Sequence, residues 1–175
     1  MKWVTRTYPH VDRTASAWLI KRFIDSEAEF IFINWPEEKP GKGMGTPFDI
    51  EGVELGHHDG KCTFETIVEK YNVEDPAVHA IAKLVHAADF RLEDPPEARG
   101  IRIVFTGLRL AAEDDYKTLE TGFKIWDAIY AFYKAKELED KYKAQLNTMS
   151  RSGRLSFLRG KVSTILKELK GCMNA

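Results

Sequence analysis

The sequence predicts an α+β fold with a small N-terminal sheet, a helical majority and an appended C-terminal amphipathic helix. Three observations carry this. Short β-branched and aromatic runs cluster near the start, at Trp3-Val4-Thr5 and Glu29-Phe30-Ile31-Phe32-Ile33. From Phe64 onward, apolar residues recur at i, i+3, i+4 and i+7, the helical period. Beyond Arg151-Ser152-Gly153, an expected hinge, Leu155, Leu158, Val162, Ile165, Leu166 and Leu169 form a last stripe on a basic background.

Taken in order, Trp3-Val4-Thr5 is a first strand. Asp12 is a good N-cap, and Ala15, Trp18, Leu19 and Phe23 behind it predict a helix near 12–25. Residues 29–33 are a buried strand, and 36–45, with two prolines and three glycines, a loop. Phe48-Asp49-Ile50 and Val53-Glu54-Leu55 flank Glu51-Gly52 as a small hairpin. Phe64, Ile67, Val68 and Tyr71 mark a short helix. Asp75-Pro76 opens the next with an N-cap and a proline at N1, and Val78, Ile81, Ala82 and Val85 are its stripe. Asp94-Pro95-Pro96 breaks the chain, Ile101 to Leu110 reads as helix, and Asp114-Asp115 caps a long helix striped from Tyr116 to Tyr133.

The 175 residues fit one domain at 1–135 with a basic helical extension at 136–175. Apolar residues make up 43% and charged residues 30%, an ordinary globular balance that excludes a disordered chain. Two cysteines, Cys62 and Cys172, make no disulfide framework and point to a reduced compartment. The N-terminus lacks a signal-peptide pattern and no apolar run nears the roughly 20 residues of a membrane span, so a cytoplasmic protein without a membrane partner is expected. The net charge of −1 hides an asymmetry: residues 134–175 carry ten Lys/Arg against four Asp/Glu, leaving −7 on residues 1–133. An acidic body argues against a nucleic-acid face on the main domain, while the basic tail suits an acidic partner, including its own body.

The densest group of ligand-type residues is His57-His58-Asp59-Gly60-Lys61-Cys62-Thr63-Phe64-Glu65, between a strand and a helix start. Loop-borne imidazoles can converge on an ion without distorting regular structure. Adjacent histidines in extended chain point to opposite faces, so one of His57 and His58 is the ligand and the other a neighbour. The plainer alternative is a polar turn with a helix cap at Thr63. His86 and Asp89, at i and i+3, share one side of their helix, and Asp89 falls inside the apolar stripe. A carboxylate on a buried face needs a partner. That partner is either an arginine, with Arg91 and Arg99 nearby, or a divalent metal shared with His86. Joined, His57, His86 and Asp89 make a two-histidine, one-carboxylate set suited to Fe(II), Mn(II) or Zn(II), with Glu65 as fourth ligand or as support for an imidazole, and Cys62 as a softer donor that favours zinc. His79 lies about 10.5 Å from His86 along the helix, too far to share the ion.

Arg6, His10, Asp12 and Arg13 surround the start of the first helix, where two guanidiniums and an imidazole suit an oxyanion. Against this, Asp12 as the cap already supplies negative charge, and a capped helix with a structural Arg–Asp pair is the plainer reading. Otherwise Asp12 and Arg13 support the metal ligands. No glycine-rich phosphate loop, no nucleophile elbow and no standard zinc spacing occurs.

Trp3-Val4-Thr5-Arg6, Val11-Asp12-Arg13, Trp18 to Asp25, Pro47-Phe48-Asp49, His57, Cys62-Thr63-Phe64-Glu65, Val85 to Asp89 and Tyr130, in that order, resemble the C-terminal domain of the bacterial chromate-resistance protein B family over residues 1–135. The resemblance implies a role in chromate resistance, where longer members act as chromate-responsive regulators beside an efflux pump. Those members carry a further N-terminal domain, which argues against DNA-binding regulation by this stretch itself. The expectation is therefore a metal-binding domain, His57, His86 and Asp89 with Glu65 and His58 close by, that senses or processes an oxyanion or a redox-active small molecule with help from Arg6, Asp12 and Arg13. The alternative is a regulatory or interaction module without metal. The apolar face of the C-terminal helix must be covered by the body or by a neighbour in a homo-oligomer.

Overall fold

The computed structural model describes residues 1–171; Cys172 lies outside the described residues. Strand β1 (Lys2–Arg6) runs between β2 (Glu29–Ile33) and β3 (Thr46–Pro47), and both neighbours are parallel to it. The register sets Trp3 opposite Phe30 on one side and Thr46 on the other. Parallel neighbours need a crossover. Helix α1 (Val11–Leu19) supplies it and continues into a π-helical turn at Ile20–Ile24. Trp3, Val4 and Thr5 are buried, as expected of a parallel central strand covered on both faces.

The hairpin expected at 48–55 does not form. Asp49 adopts a left-handed backbone with φ 50°, and its N–H donates to Leu55 O at 2.8 Å, which closes a loop rather than a ladder. Aspartate tolerates that conformation better than most residues, and the loop swings its carboxylate inward.

The helical majority follows as α2 (Thr63–Lys70), α3 (Pro76–Asp89), α4 (Glu97–Ala111), α5 (Asp115–Lys141), α6 (Lys143–Asn147) and α7 (Arg151–Gly171). The Asp75 carboxylate accepts from the Ala77 and Val78 N–H groups with Pro76 behind it, and Asp114 accepts from Lys117 N–H. Each satisfies donors that the helix itself cannot. Arg151-Ser152-Gly153 is not a hinge but the first turn of α7. The break lies just before it, and Ser150 Oγ accepts from Gly153 N–H at 3.1 Å to start the new helix.

Helices α1, α3, α4 and α5 enclose the main core, where Trp18, Phe64, Ile81, Phe105 and Trp126 are fully buried. Trp126 stacks on Phe105 with centroids 5.0 Å apart and donates through Nε1 to Thr14 Oγ1 at 3.1 Å. The extension packs on its own chain along most of its apolar stripe, with Leu155 left exposed. Leu158 and Val162 of α7 are buried, and Ile165, Leu166 and Leu169 pack on the main core.

One carboxylate joins these parts. Asp127 of α5 accepts from Trp18 Nε1 at 2.9 Å and from Arg22 Nε at 3.0 Å, and Lys170 Nζ of α7 lies 2.7 Å away. Burial raises its affinity for a proton, yet these partners hold it below the usual carboxylate range. Asp127→Ala should cost about 3–5 kcal/mol, because it takes the carboxylate away from a buried guanidinium and a buried indole N–H. For a chain of this size that lowers the unfolding midpoint by about 10 °C, as circular dichroism would record. A midpoint within about 2 °C of the parent would contradict this account.

Candidate functional site

Asp12 is the second residue of α1 and does not cap it; His10 takes that position without a side-chain bond. The Asp12 carboxylate reaches across to α2 instead. Its Oδ2 accepts from Thr63 N–H at 2.8 Å and its Oδ1 from Phe64 N–H at 2.9 Å. These are the first two residues of α2, whose N–H groups have no partner within the helix, and the positive end of the helix dipole favours the charge. The side chain is 3% exposed.

The arginines serve a different aspartate. Arg13 Nε lies 2.7 Å from Asp49 Oδ2, and Arg13 Nη1 donates to Thr7 O and Tyr8 O at 3.1 and 3.3 Å. Arg6 donates to Asp49 O at 2.9 Å, and its Nη2 sits 3.6 Å from the carboxylate. Thr63 Oγ1 donates to Asp49 Oδ1 at 3.0 Å. The structural Arg–Asp pair therefore exists, with Asp49 in the place the sequence suggests for Asp12. Burial pushes the Asp49 carboxyl upward while Arg13 pulls it down.

His57 completes the centre from the loop before α2. Its Nε2 lies 3.1 Å from Asp12 Oδ2, 3.4 Å from Asp89 Oδ2 and 3.8 Å from Asp49 Oδ1, and its side chain is 45% exposed. Asp12, His57 and Asp89 each present a ligand atom within 4.8 Å of the others. They line a polar cavity of about 420 Å³ together with Arg6, His10, Arg13 and Arg109. Arg91 and Arg99, the structural partners considered for Asp89, are both exposed, and Asp89 pairs with His57 instead. Burial, then the neighbouring Asp12, push the Asp89 carboxyl up to about 6, against the pull of His57. The hydrogen bond to Asp12 raises the His57 imidazole.

The expected set of His57, His86 and Asp89 falls into two groups. His86 turns toward α2, with Nδ1 2.6 Å from Glu65 Oε2, and the same oxygen accepts from Cys62 N–H at 2.9 Å. Cys62, Glu65 and His86 are a second trio. The spacings separate the two chemistries. Ligand atoms about 2.1 Å from a common ion, at angles of 90–109°, stand about 3.0–3.4 Å apart. The His57 contacts at 3.1 and 3.4 Å, the first of them also a hydrogen bond, are compatible with those edges, whereas 2.6 Å is too short for two ligands of one ion. Cys62 is fully buried, which pushes its thiol up and disfavours the thiolate that a metal needs. The Phe90 ring touches both imidazoles, with centroids 5.6 Å from His57 and 4.6 Å from His86.

His58 stands apart from both groups. Its Nε2 is 2.9 Å from Val53 O and from Glu54 O, so it ties its loop together and reaches no carboxylate. Sequence reasoning missed Asp49 and Arg109. The first is hidden in what reads as a strand. The second shares a face of α4 with Thr106, whose hydroxyl lies 2.9 Å from His10 Nε2, and that i, i+3 spacing is the signal that could have placed it.

The model for the ChrB C-terminal domain matches residues 3–133. The chain belongs to that family. It is also 29% identical over 133 residues to Protein ChrB of Cupriavidus metallidurans, an alignment covering 75% of this chain and 40% of the relative, so the chain spans less than half of that protein's length. No solved structure matches. The ChrB-type region holds every residue of both trios and stops before α6 and α7. No described helix is long and apolar enough to cross a membrane.

The raised Asp89 carboxyl has a stability consequence in this ChrB domain when no metal is bound. Its folded value, about 6, exceeds the ordinary 3.8, so the charge costs nothing below that ordinary value and its full penalty above pH 6. In the presence of a chelator, Asp89→Asn should therefore be more stable than the parent at pH 8, by about 2 kcal/mol, and no more stable near pH 4. Urea unfolding at the two pH values tests this, and an unchanged or lowered midpoint at pH 8 would refute it.

Proposed function

We propose that Asp12, His57 and Asp89 hold a divalent cation, Fe(II), Mn(II) or Zn(II), and that the domain uses it to sense or process an oxyanion or a redox-active small molecule in chromate resistance. The observation that carries this reading is the pair of 3.1 and 3.4 Å contacts from a half-exposed imidazole to two carboxylates, which are the edge lengths of a coordination shell. Two carboxylates and one imidazole are a hard set with room for exogenous ligands, suited to these three ions over copper. The raised Asp89 carboxyl supports it too, because a cation relieves that penalty. Bound there, the ion supplies an electrophilic centre with open positions.

The residues around the ligands suit an anion approaching the centre. Arg6, Arg13 and Arg109 line the same cavity as His57. Arg13 is committed to Asp49 and acts through its field, while Arg6, 39% exposed, can meet a ligand directly. Chromate is a tetrahedral dianion of the kind guanidinium groups recognise, and the chromate context rests on membership of the ChrB family.

The competing reading, a regulatory module without metal, is favoured by one observation. His57 lies between Asp12 and Asp89, its hydrogen bond to Asp12 favours the protonated imidazole, and in that form it offsets part of their charge without an ion. Elemental analysis decides between them. Protein purified from medium supplied with all three metals should carry close to one ion per chain under the first reading. His57→Ala and Asp89→Ala should each lose it, while His58→Ala, His79→Ala and, given its bond to Glu65, His86→Ala should retain it. Metal-free protein that also shows no calorimetric binding of Mn(II), Fe(II) or Zn(II) overturns the proposal.

A further inference from the structure

A second cavity, about 770 Å³, opens beside α3 and uses none of the three proposed ligands. His79, Lys83 and His86 reach it from one face of α3, spaced four and three residues apart. Leu92, Pro95 and Tyr133 make much of the remaining wall, so the cavity pairs an imidazole-bearing side, with Lys83 as its one cation and Glu65 behind His86, with an apolar one. That is the usual construction of a small-molecule site, an apolar lining with a few polar groups that fix orientation.

Glu65 sets what His86 can do there. Its carboxylate takes the hydrogen bond from Nδ1 at 2.6 Å, which fixes the ring and places the proton of the neutral imidazole on Nδ1. Nε2 is then an acceptor, and a ligand that meets it must bring a donor. Lys83, exposed one turn earlier, offers a positive charge to the other end of the same molecule. We propose that this cavity binds a hydroxylated aromatic carboxylate, with the hydroxyl donating to His86 Nε2, the carboxylate facing Lys83 and the ring against Leu92, Pro95 and Tyr133. Asp94 and Glu65 also line the cavity and oppose an anion, so both weaken binding, Glu65 while it orients His86.

Three probes separate these contributions: 4-hydroxybenzoate, benzoate without the donor, and phenol without the charge. Titrated into the full chain and followed by the ring resonances of His79 and His86, 4-hydroxybenzoate should saturate in the millimolar range expected of so small a ligand. It should bind about tenfold tighter than benzoate, the value of one buried hydrogen bond, and about threefold tighter than phenol, the value of one exposed ion pair. His86→Ala should abolish the preference over benzoate, Lys83→Met the preference over phenol, and Asp94→Asn should tighten both carboxylates. Failure of 4-hydroxybenzoate to saturate, equal affinity for the three probes, or preferences that survive both His86→Ala and Lys83→Met overturn the proposal.

Discussion

The candidate site depends on one carboxylate placed on a helix it does not belong to. Asp12 is fixed by α1, which the parallel β1–β2 crossover and the tryptophan-rich core hold in place. From there it accepts the first two N–H groups of α2 and so sets where that helix begins. Hydrogen bonds to a charged acceptor contribute about 1.5–3 kcal/mol each, more than their neutral counterparts. The position of α2 in turn determines where Glu65 and the loop carrying His57 can lie. Losing this contact would disturb both trios together, although only one contains Asp12.

The same anchor creates an electrostatic problem that the surrounding residues divide among themselves. Asp12, Asp49 and Asp89 converge on one imidazole. Asp12 is offset by the α2 terminus and Asp49 by Arg13 and Arg6. Asp89 has a shared claim on His57 and a weaker pull from Arg13, and is left with a carboxyl near 6. Strongly perturbed carboxyls in clefts are over-represented at functional sites. Here burial raises both Asp49 and Asp89, and of the three carboxylates that line the cavity Asp89 is the most exposed, at 25% against 3% and 6%.

Much of the fold is legible in the sequence because its signals are local. Asp75-Pro76 and Asp114 announce helix starts through bonds to residues two or three positions away, and the stripes of α3 and α5 follow the helical period. The site is less legible because its bonds are not local. Asp12 reads as an ordinary cap, yet its partners lie 51 and 52 residues further on. His86 and Asp89 share a helix side by their spacing, but α2 and the His57 loop approach that side at two places and draw the residues into separate groups. Asp49 escapes notice because alternation around Glu51-Gly52 resembles a hairpin, and only a left-handed backbone at Asp49 itself reveals otherwise.

The Asp127 junction also bears on where this protein can be divided. The ChrB match ends at residue 133, inside α5, and every residue of both trios precedes that point. A fragment trimmed there would look complete from the viewpoint of chemistry. It would nevertheless lose Lys170 from Asp127, and with α7 the apolar residues that pack on the main core. The family boundary therefore falls inside a packed body rather than at its edge, and a portable version of the site keeps α7 with it.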